Sequence, residues 1–147
     1  MSGPPALPLL QCRPVHIDAL ACSKQWVQAW NARDVEAVLE HFHEDVVFTS
    51  RVAATVLPKT KGIVHGKPAL RRYWTQALQR IPNLRFVVES VYQGIDTIVI
   101  MYRNQNDHLV NEVLRFSDDK VIEGHGMNRP DSPGVSRISR AIQLLSL

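Results

Sequence analysis

The sequence predicts an α+β domain in which helices cover one face of a strongly bent, mainly antiparallel sheet. Two observations carry this prediction. Apolar residues recur at helical spacing before Pro82, and they alternate with a period of two after it. Polar turn segments separate the alternating runs, as in a meander of neighbouring strands. With 147 residues, the chain is long enough for one continuous core and too short for two.

Three helices are predicted. The first begins near Ile17, with Asp18 close to the positive end of the helix dipole. The second is short and follows Asp34, a residue type that caps helices. The third begins at Pro68, which suits the first helical position because proline has no N–H to leave unpaired. Their apolar stripes are Leu20, Ser23, Trp26, Val27 and Trp30; Val35, Val38, Leu39 and Phe42; and Leu70, Tyr73, Trp74, Ala77, Leu78 and Ile81.

The first strand is predicted at Val46–Phe48, a β-branched and aromatic run. A loop is predicted from Ser50 to Gly66, and a loop of that length can frame the mouth of a pocket. After Pro82 the predicted strands are Leu84–Val88, Thr97–Arg103, Leu109–Phe116 and Val121–Met127.

The domain is predicted to span residues 17–128. Residues 1–16 hold four of the nine prolines and show no periodicity, which is typical of a flexible leader. Residues 129–147 begin with prolines and then place apolar residues at helical spacing. We expect this C-terminal tail to be either a short docking helix or a frayed terminus.

Charge and composition exclude several classes of partner. The formal net charge is +3, but +2 of it lies in the last nineteen residues, so the body has no basic stripe for nucleic acid. Cys12 and Cys22 have no CxxC spacing, which predicts neither a zinc site nor a disulfide framework. No apolar run approaches a membrane span, and the N-terminus lacks the basic region of a signal peptide. We expect a cytoplasmic protein that binds neither nucleic acid nor membranes.

Three segments together resemble a known family: WVQAWNARDVEAVLEHFHEDVVFTS, HGKPALRRYW and NEVLRFSDDKVIEGHG. Their spacing resembles the nuclear transport factor 2-like superfamily, in its SnoaL-like and ketosteroid isomerase-like branch. The resemblance implies a cone-shaped domain, with three N-terminal helices packed on a strongly curved sheet that encloses an apolar pocket. It also implies that two copies pair through the outer face of the sheet, so we expect a homodimer.

The resemblance also places the functional positions of a ketosteroid isomerase. Its catalytic base falls near Ser50, its oxyanion-hole tyrosine near Trp26, and its protonated acid near Glu112. Only the acid is retained here. Because an unactivated hydroxyl does not accept a proton near neutral pH, Ser50 cannot replace the base. We therefore expect no ketosteroid isomerase activity, and we treat Ser50 as a candidate ligand contact.

Glu112 is the first candidate catalytic residue. It shares its strand parity with Val110 and Leu114, so its carboxyl group faces the apolar side of the sheet. Desolvation there would raise the pKa of the carboxyl and let it act as an acid or donate a hydrogen bond to a ligand carbonyl. The alternative is a structural role, with Arg103, Arg115 or a backbone amide as partner.

His125 is the second candidate catalytic residue. The flanking Gly124 and Gly126 permit close approach of a ligand, and imidazole titrates near neutral pH. Strand alternation puts both glycines and Asn128 on one face and His125 on the other, so a bulge decides which set points inward. Asn128 is a candidate ligand contact, and the alternative for His125 is a surface or dimer-interface role.

No metal or cofactor is predicted. His41 and His43 are metal-ligand types, but they lie two residues apart near a helix end and therefore diverge. The remaining candidate ligand contacts are aromatic residues of the first and third helices: Trp26, Trp30, Tyr73 and Trp74. They can wall an apolar pocket and orient a ligand through hydroxyl or indole N–H groups. The alternative is plain core packing.

Three functions remain open on these grounds. The first is a binding protein for a small apolar molecule with a carbonyl or hydroxyl aimed at Glu112. The second is a cofactor-independent isomerase, cyclase or dehydratase that uses Glu112 and His125 as acid and base. The third is a structural dimerisation module with a filled core. A cavity favours the first two, and both residues within reach of one ligand atom would favour the second.

Overall fold

In a computed structural model, which describes residues 17–130, the chain forms an α+β domain with a six-stranded, curved and unclosed sheet and four helices. The expected leader and residues 131–147 of the expected tail lie outside this range. No helix within the described range is long and apolar enough to span a membrane.

The helices are α1 (Ala19–Asn31), α2 (Val35–Leu39), α3 (Arg51–Val56) and α4 (Lys67–Arg80), with a 3-10 turn at Pro58–Thr60. The strands are β1 (Phe42–Ser50), β2 (Ile63–His65), β3 (Val87–Gln93), β4 (Thr97–Arg103), β5 (Leu109–Ser117) and β6 (Lys120–Asn128). The sheet order is β2-β1-β6-β5-β4-β3. All neighbours are antiparallel except β1 and β6, so the mainly antiparallel sheet is confirmed.

The number of helices differs from the prediction of three N-terminal helices. Within residues 17–130 the three predicted helices are joined by a fourth, because α3, like the strand β2, lies in the segment that was expected to be a loop. The Ser50 hydroxyl starts α3 directly at the end of β1, because it accepts hydrogen bonds from the backbone N–H of Val52 at 3.1 Å and Ala53 at 3.4 Å. A helix of six residues is too short to show a period in the sequence.

The boundary between α2 and β1 also differs. Helix α2 ends at Leu39, and Phe42, expected on its apolar stripe, is the first residue of β1. Glu44 and Asp45 are exposed and are poor strand formers, so only the part of this nine-residue strand from Val46 to Phe48 was predicted. Pairing with β2 and β6 holds the strand, and its register against β6 shifts between Phe42 and Val47.

The core lies between the helices and the inner face of the sheet and is rich in aromatic rings. Trp26 stacks on Phe86 with ring centroids 5.7 Å apart, and Trp30 meets Trp74 edge-on at 5.1 Å. The Asn31 side chain fixes the backbone of Phe86 by donating to its carbonyl at 2.9 Å and accepting from its N–H at 2.8 Å. This contact connects the end of α1 to the segment that leads into β3.

Candidate functional site

A hollow lies between the inner face of the sheet and the helices. It is lined by Trp26, Trp30, Phe48, Ser50, Val52, Trp74, Phe86, Tyr102, Val110, Glu112, Gly126 and Asn128. The space outside the atoms is about 350 Å³ including the mouth, but the centre of a water molecule can occupy only about 10 Å³ of it. With the side chains in these positions, the smaller volume limits the contents of the hollow to about one water molecule. A small organic molecule enters only if lining side chains move.

The Glu112 side chain faces this hollow because of its position in β5. The buried positions of the strand alternate as Val110, Glu112, Leu114 and Phe116. Glu112 lies opposite Gly126 of β6, and a Cβ added to that glycine would lie 3.5 Å from the Glu112 Oε1 atom. A Cβ at this distance would make an ordinary contact with the carboxyl group, so Gly126 leaves open space beside it.

The carboxyl group of Glu112 is 5% exposed and makes no hydrogen bond or ion pair within residues 17–130. Arg103 and Arg115, considered above as structural partners, instead bind Glu89 at 2.7 Å and Glu123 at 2.8 Å. Burial raises the pKa of Glu112 from 4.5 to about 8. At neutral pH the group is therefore mostly protonated, with one O–H to donate.

Two further polar groups of the lining lack a partner. The indole Nε1 atoms of Trp26 and Trp30 are buried and have no hydrogen-bond acceptor among residues 17–130. The two residues lie four positions apart on α1 and so share one helix face. Because a buried unpaired donor costs about 1–3 kcal/mol, both groups gain from an acceptor placed in the hollow.

The remaining predicted contacts divide into two groups. Ser50, Trp74 and Asn128 line the hollow, as Trp26 and Trp30 do, whereas Tyr73 does not. The Tyr73 hydroxyl lies 3.2 Å from the Ser50 hydroxyl and reaches the hollow only through it. Burial raises the pKa of Tyr73, so this phenol stays neutral. Tyr73 is a supporting residue behind Ser50.

Sequence reasoning missed six lining residues: Phe48, Val52, Phe86, Tyr102, Val110 and Gly126. Tyr102 carries a second phenol into the lining, and burial raises its pKa well above the usual value. Its parity with the buried Ile98 and Ile100 on β4 was a usable signal. Val52 belongs to α3, so it could not be placed before that helix was known.

His125 points to the opposite face of the sheet from Glu112. Its Nε2 atom lies 3.0 Å from a Glu123 carboxylate oxygen, and its Nδ1 lies 2.5 Å from the Thr49 hydroxyl. Since a carboxylate only accepts, Nε2 carries a proton, and in the neutral imidazole Nδ1 then accepts from the Thr49 hydroxyl. Arg115 donates to the other oxygen of Glu123 at 2.8 Å. His125 is therefore part of a hydrogen-bonded chain on the outer face.

The expected acid and base pair is thus not assembled within one hollow. The register against β5 shifts at Ile122, where Phe116 pairs with Val121 and Arg115 pairs with Glu123. From there to the end of β6, Gly124 and Gly126 face inward and His125 faces outward. The correction follows from this bulge position, which the sequence pattern left undecided.

Within residues 17–130, no three His, Cys, Asp or Glu side chains cluster in a way that could hold a metal ion. The Nδ1 atom of His43 accepts a hydrogen bond from the backbone N–H of Asp45 at 3.0 Å. Burial lowers the pKa of His41, which disfavours its charged form.

The fold and the hollow define a domain of the nuclear transport factor 2-like superfamily. The chain belongs to the SnoaL-like domain family, whose model matches residues 23–128. A SnoaL-like protein of unknown function from Burkholderia thailandensis is 29% identical, with a TM-score of 0.73 over 80% of this chain and 99% of that chain. No curated protein matches this chain.

Two more distant structures share the fold alone. TerC, co-crystallised with polyporic acid, is 12% identical, with a TM-score of 0.62 over 75% of this chain and 90% of that chain. A putative polyketide cyclase from Sinorhizobium meliloti is 12% identical, with a TM-score of 0.61 over 73% of this chain and 94% of that chain.

Proposed function

We propose that this protein binds a small, uncharged and mostly apolar molecule in the hollow, with a ligand carbonyl or hydroxyl oxygen held by Glu112. The observation that carries the proposal is a buried carboxyl group that lines a hollow and has no partner within residues 17–130. A buried polar group without a partner costs free energy, and a ligand oxygen would remove that cost. The likeness to TerC, crystallised with a small molecule, agrees with ligand binding in this fold.

The lining supports an uncharged ligand. Most of its residues are aromatic or aliphatic, and the part of the chain that the structure describes contributes no Lys, Arg or His to it. An anion would find no opposite charge there and would lie beside an acidic group. In this proposal the helices and the curved sheet close as a cone over the ligand, and lining side chains shift to admit it.

A matched pair of probes tests the role of Glu112. Para-ethylacetophenone has one carbonyl, and para-diethylbenzene has a CH₂ group in its place with nearly the same shape. We expect the wild type to bind the ketone about tenfold more tightly, as one buried hydrogen bond allows. Titration with tryptophan fluorescence as readout measures both affinities, because three tryptophans line the hollow.

Two variants of similar size test whether the hydrogen bond donated by residue 112, and not its shape, causes the preference. Glu112→Gln still donates an N–H and should keep the ketone preference, whereas Glu112→Leu cannot donate and should lose it. Circular dichroism verifies that both variants fold. Equal affinity of the wild type for the ketone and the hydrocarbon, or an undiminished preference in Glu112→Leu, would remove Glu112 from the site. Absence of binding of both probes would favour the structural module.

We also propose that two copies of the chain pair through the outer face of the sheet. One cross-strand row of this face contains Ile63, Thr49, His125, Val113, Val99 and Tyr92. Ile63 is 47% exposed and Tyr92 is 60% exposed at the two ends of this row. Large exposed apolar side chains on one face are typical of an interface.

Light scattering after gel filtration tests the pairing. We expect a dimer for the wild type and a monomer for Tyr92→Lys, because a lysine charge would be buried at the interface. Leu20→Lys is the matched control, since Leu20 is 73% exposed but belongs to helix α1 and not to a strand of the proposed interface. A monomeric wild type would contradict the proposal.

A further inference from the structure

We infer that the ligand carries two acceptor oxygens at separate positions, one for Glu112 and the other for the indole N–H groups of Trp26 and Trp30. The class of ligand is then an uncharged diketone, or a quinone-like or hydroxyketone compound with oxygens at both ends of an apolar ring. This inference rests on the proposed function, because it concerns the same hollow.

The indole groups and the Glu112 carboxyl belong to different elements of the lining. Both tryptophans extend from helix α1, whereas Glu112 extends from strand β5. Trp26 is 1% exposed and Trp30 is 2% exposed, and neither Nε1 atom has an acceptor in the described range. Unpaired donors therefore belong to both the helical side and the sheet side of the lining.

The surplus of hydrogen-bonding capacity in the lining is on the donor side. Both indoles can only donate, and the protonated carboxyl of Glu112 adds one O–H beside its acceptor oxygen. The Ser50 hydroxyl already accepts from the first turn of α3 and contacts the Tyr73 hydroxyl. A ligand that satisfies this lining brings acceptors, and because the described lining residues include no cation, these acceptors are neutral oxygens.

A bound water molecule is the competing explanation of the unpaired indoles. The free space at rest admits about one water, and a single water can accept from two donors. If water alone fulfils this role, a second carbonyl on a probe confers no advantage. The number of carbonyls in the probe therefore distinguishes the two explanations.

A third probe extends the series used for Glu112. Para-diacetylbenzene has two carbonyls, para-ethylacetophenone has one and para-diethylbenzene has none, with closely similar shapes. We expect the diketone to bind the wild type about tenfold more tightly than the monoketone. Trp26→Phe and Trp30→Phe keep an aromatic ring but remove the N–H. At least one of them should reduce the diketone-to-monoketone ratio to near one, whereas the wild type keeps both preferences.

The diketone-to-monoketone ratio tests the two-acceptor inference, and the monoketone-to-hydrocarbon ratio tests the proposed function. A preserved monoketone preference without any advantage of the diketone would overturn the two-acceptor inference and leave the proposed role of Glu112 standing. A diketone advantage that survives in both phenylalanine variants would also overturn the inference. Failure of the wild type to prefer the monoketone over the hydrocarbon would instead contradict the proposed function.

A measurement on the wild type covers the case in which a tryptophan variant does not fold. The chain has three tryptophans, so its nitrogen–proton correlation spectrum shows three indole signals at most. Para-diacetylbenzene should move the Trp26 or Trp30 Nε1–H signal downfield, as a new hydrogen bond does. Para-diethylbenzene should not. Equal shifts with both probes would overturn the inference.

Discussion

The side chain of Asn31 holds both backbone polar groups of Phe86, although the two residues are 55 positions apart. Asn31→Ala would leave a part-buried N–H and a part-buried carbonyl without their partner. We expect a loss of about 1–3 kcal/mol in the free energy of unfolding, measured by urea denaturation. Asn111→Ala, at an exposed position of β5, is the control and should change stability by less than about 0.5 kcal/mol. Equal effects would show that the Asn31 contact adds nothing.

The Glu112 carboxyl should make the stability of the protein depend on pH. Its folded pKa of about 8 lies above its ordinary value of 4.5, so the folded state holds a proton that the unfolded state releases between these values. Stability from this group is therefore complete below 4.5 and falls as pH rises towards 8, by on the order of 5 kcal/mol.

Glu112→Gln should remove this dependence. The stability of the variant relative to the wild type should rise through that pH window and level off above it, as measured by denaturant titrations at a series of pH values. A constant difference between the two proteins across the window would show that the Glu112 pKa is not raised.

The preference for a ketone should also depend on the protonation of Glu112. Only the protonated carboxyl donates to a ketone, so the preference of the wild type for para-ethylacetophenone should fade as pH rises through about 8. Glu112→Gln has no proton to lose and should show a flat profile. The affinities for para-diethylbenzene report any general change in the hollow. A wild-type preference that stays constant to high pH would contradict this prediction.

Gly126 and Gly124 should respond differently to alanine. A Cβ at Gly126 would meet the Glu112 and Phe48 side chains at 3.5 and 3.8 Å, an ordinary contact that occupies the hollow. A Cβ at Gly124 would lie 2.8 Å from the buried Phe48 ring. Gly126→Ala should weaken probe binding with little loss of stability, whereas Gly124→Ala should destabilise the fold by about 1–3 kcal/mol. Calorimetric melting and probe titration measure the two effects.

His125→Ala should leave the ketone preference unchanged, because the imidazole lies on the opposite face of the sheet from Glu112. The same titrations of ketone and hydrocarbon check this expectation, with Glu112→Leu as the variant that does lose the preference. A loss of preference in His125→Ala would restore the acid and base pair as a working model.

The spacing of apolar residues was enough to predict the long helices and strands. The apolar stripes of α1 and α4 and the alternation of β4 and β5 each extend over several turns or pairs, so they stand out in the sequence. Leu20 is an exception, because it was expected on the α1 stripe but is 73% exposed. The parity of β5 also predicted the inward direction of Glu112, because its neighbours Val110 and Leu114 are apolar. The cap at Asp34 is confirmed, since its side chain accepts from the Ala37 N–H at 3.1 Å.

The features that the sequence did not predict depend on contacts between distant segments. Strand β2 has three residues and exists because β1 pairs with it. The direction of His125 depends on a single extra residue, Ile122, whose effect is visible only in the register with β5. The small free volume of the hollow depends on how rings from α1, α4 and the sheet fit together, which no spacing rule encodes.

The parallel ladder between β1 and β6 pairs Thr49 with His125 and Ser50 with Gly126. Consecutive residues of each strand thus face opposite sides. Slippage of β6 by one position would swing the imidazole into the interior and turn the glycine towards solvent. The two strands lie more than seventy residues apart along the chain. Their alignment therefore keeps the imidazole of His125 out of the hollow that contains the Glu112 carboxyl.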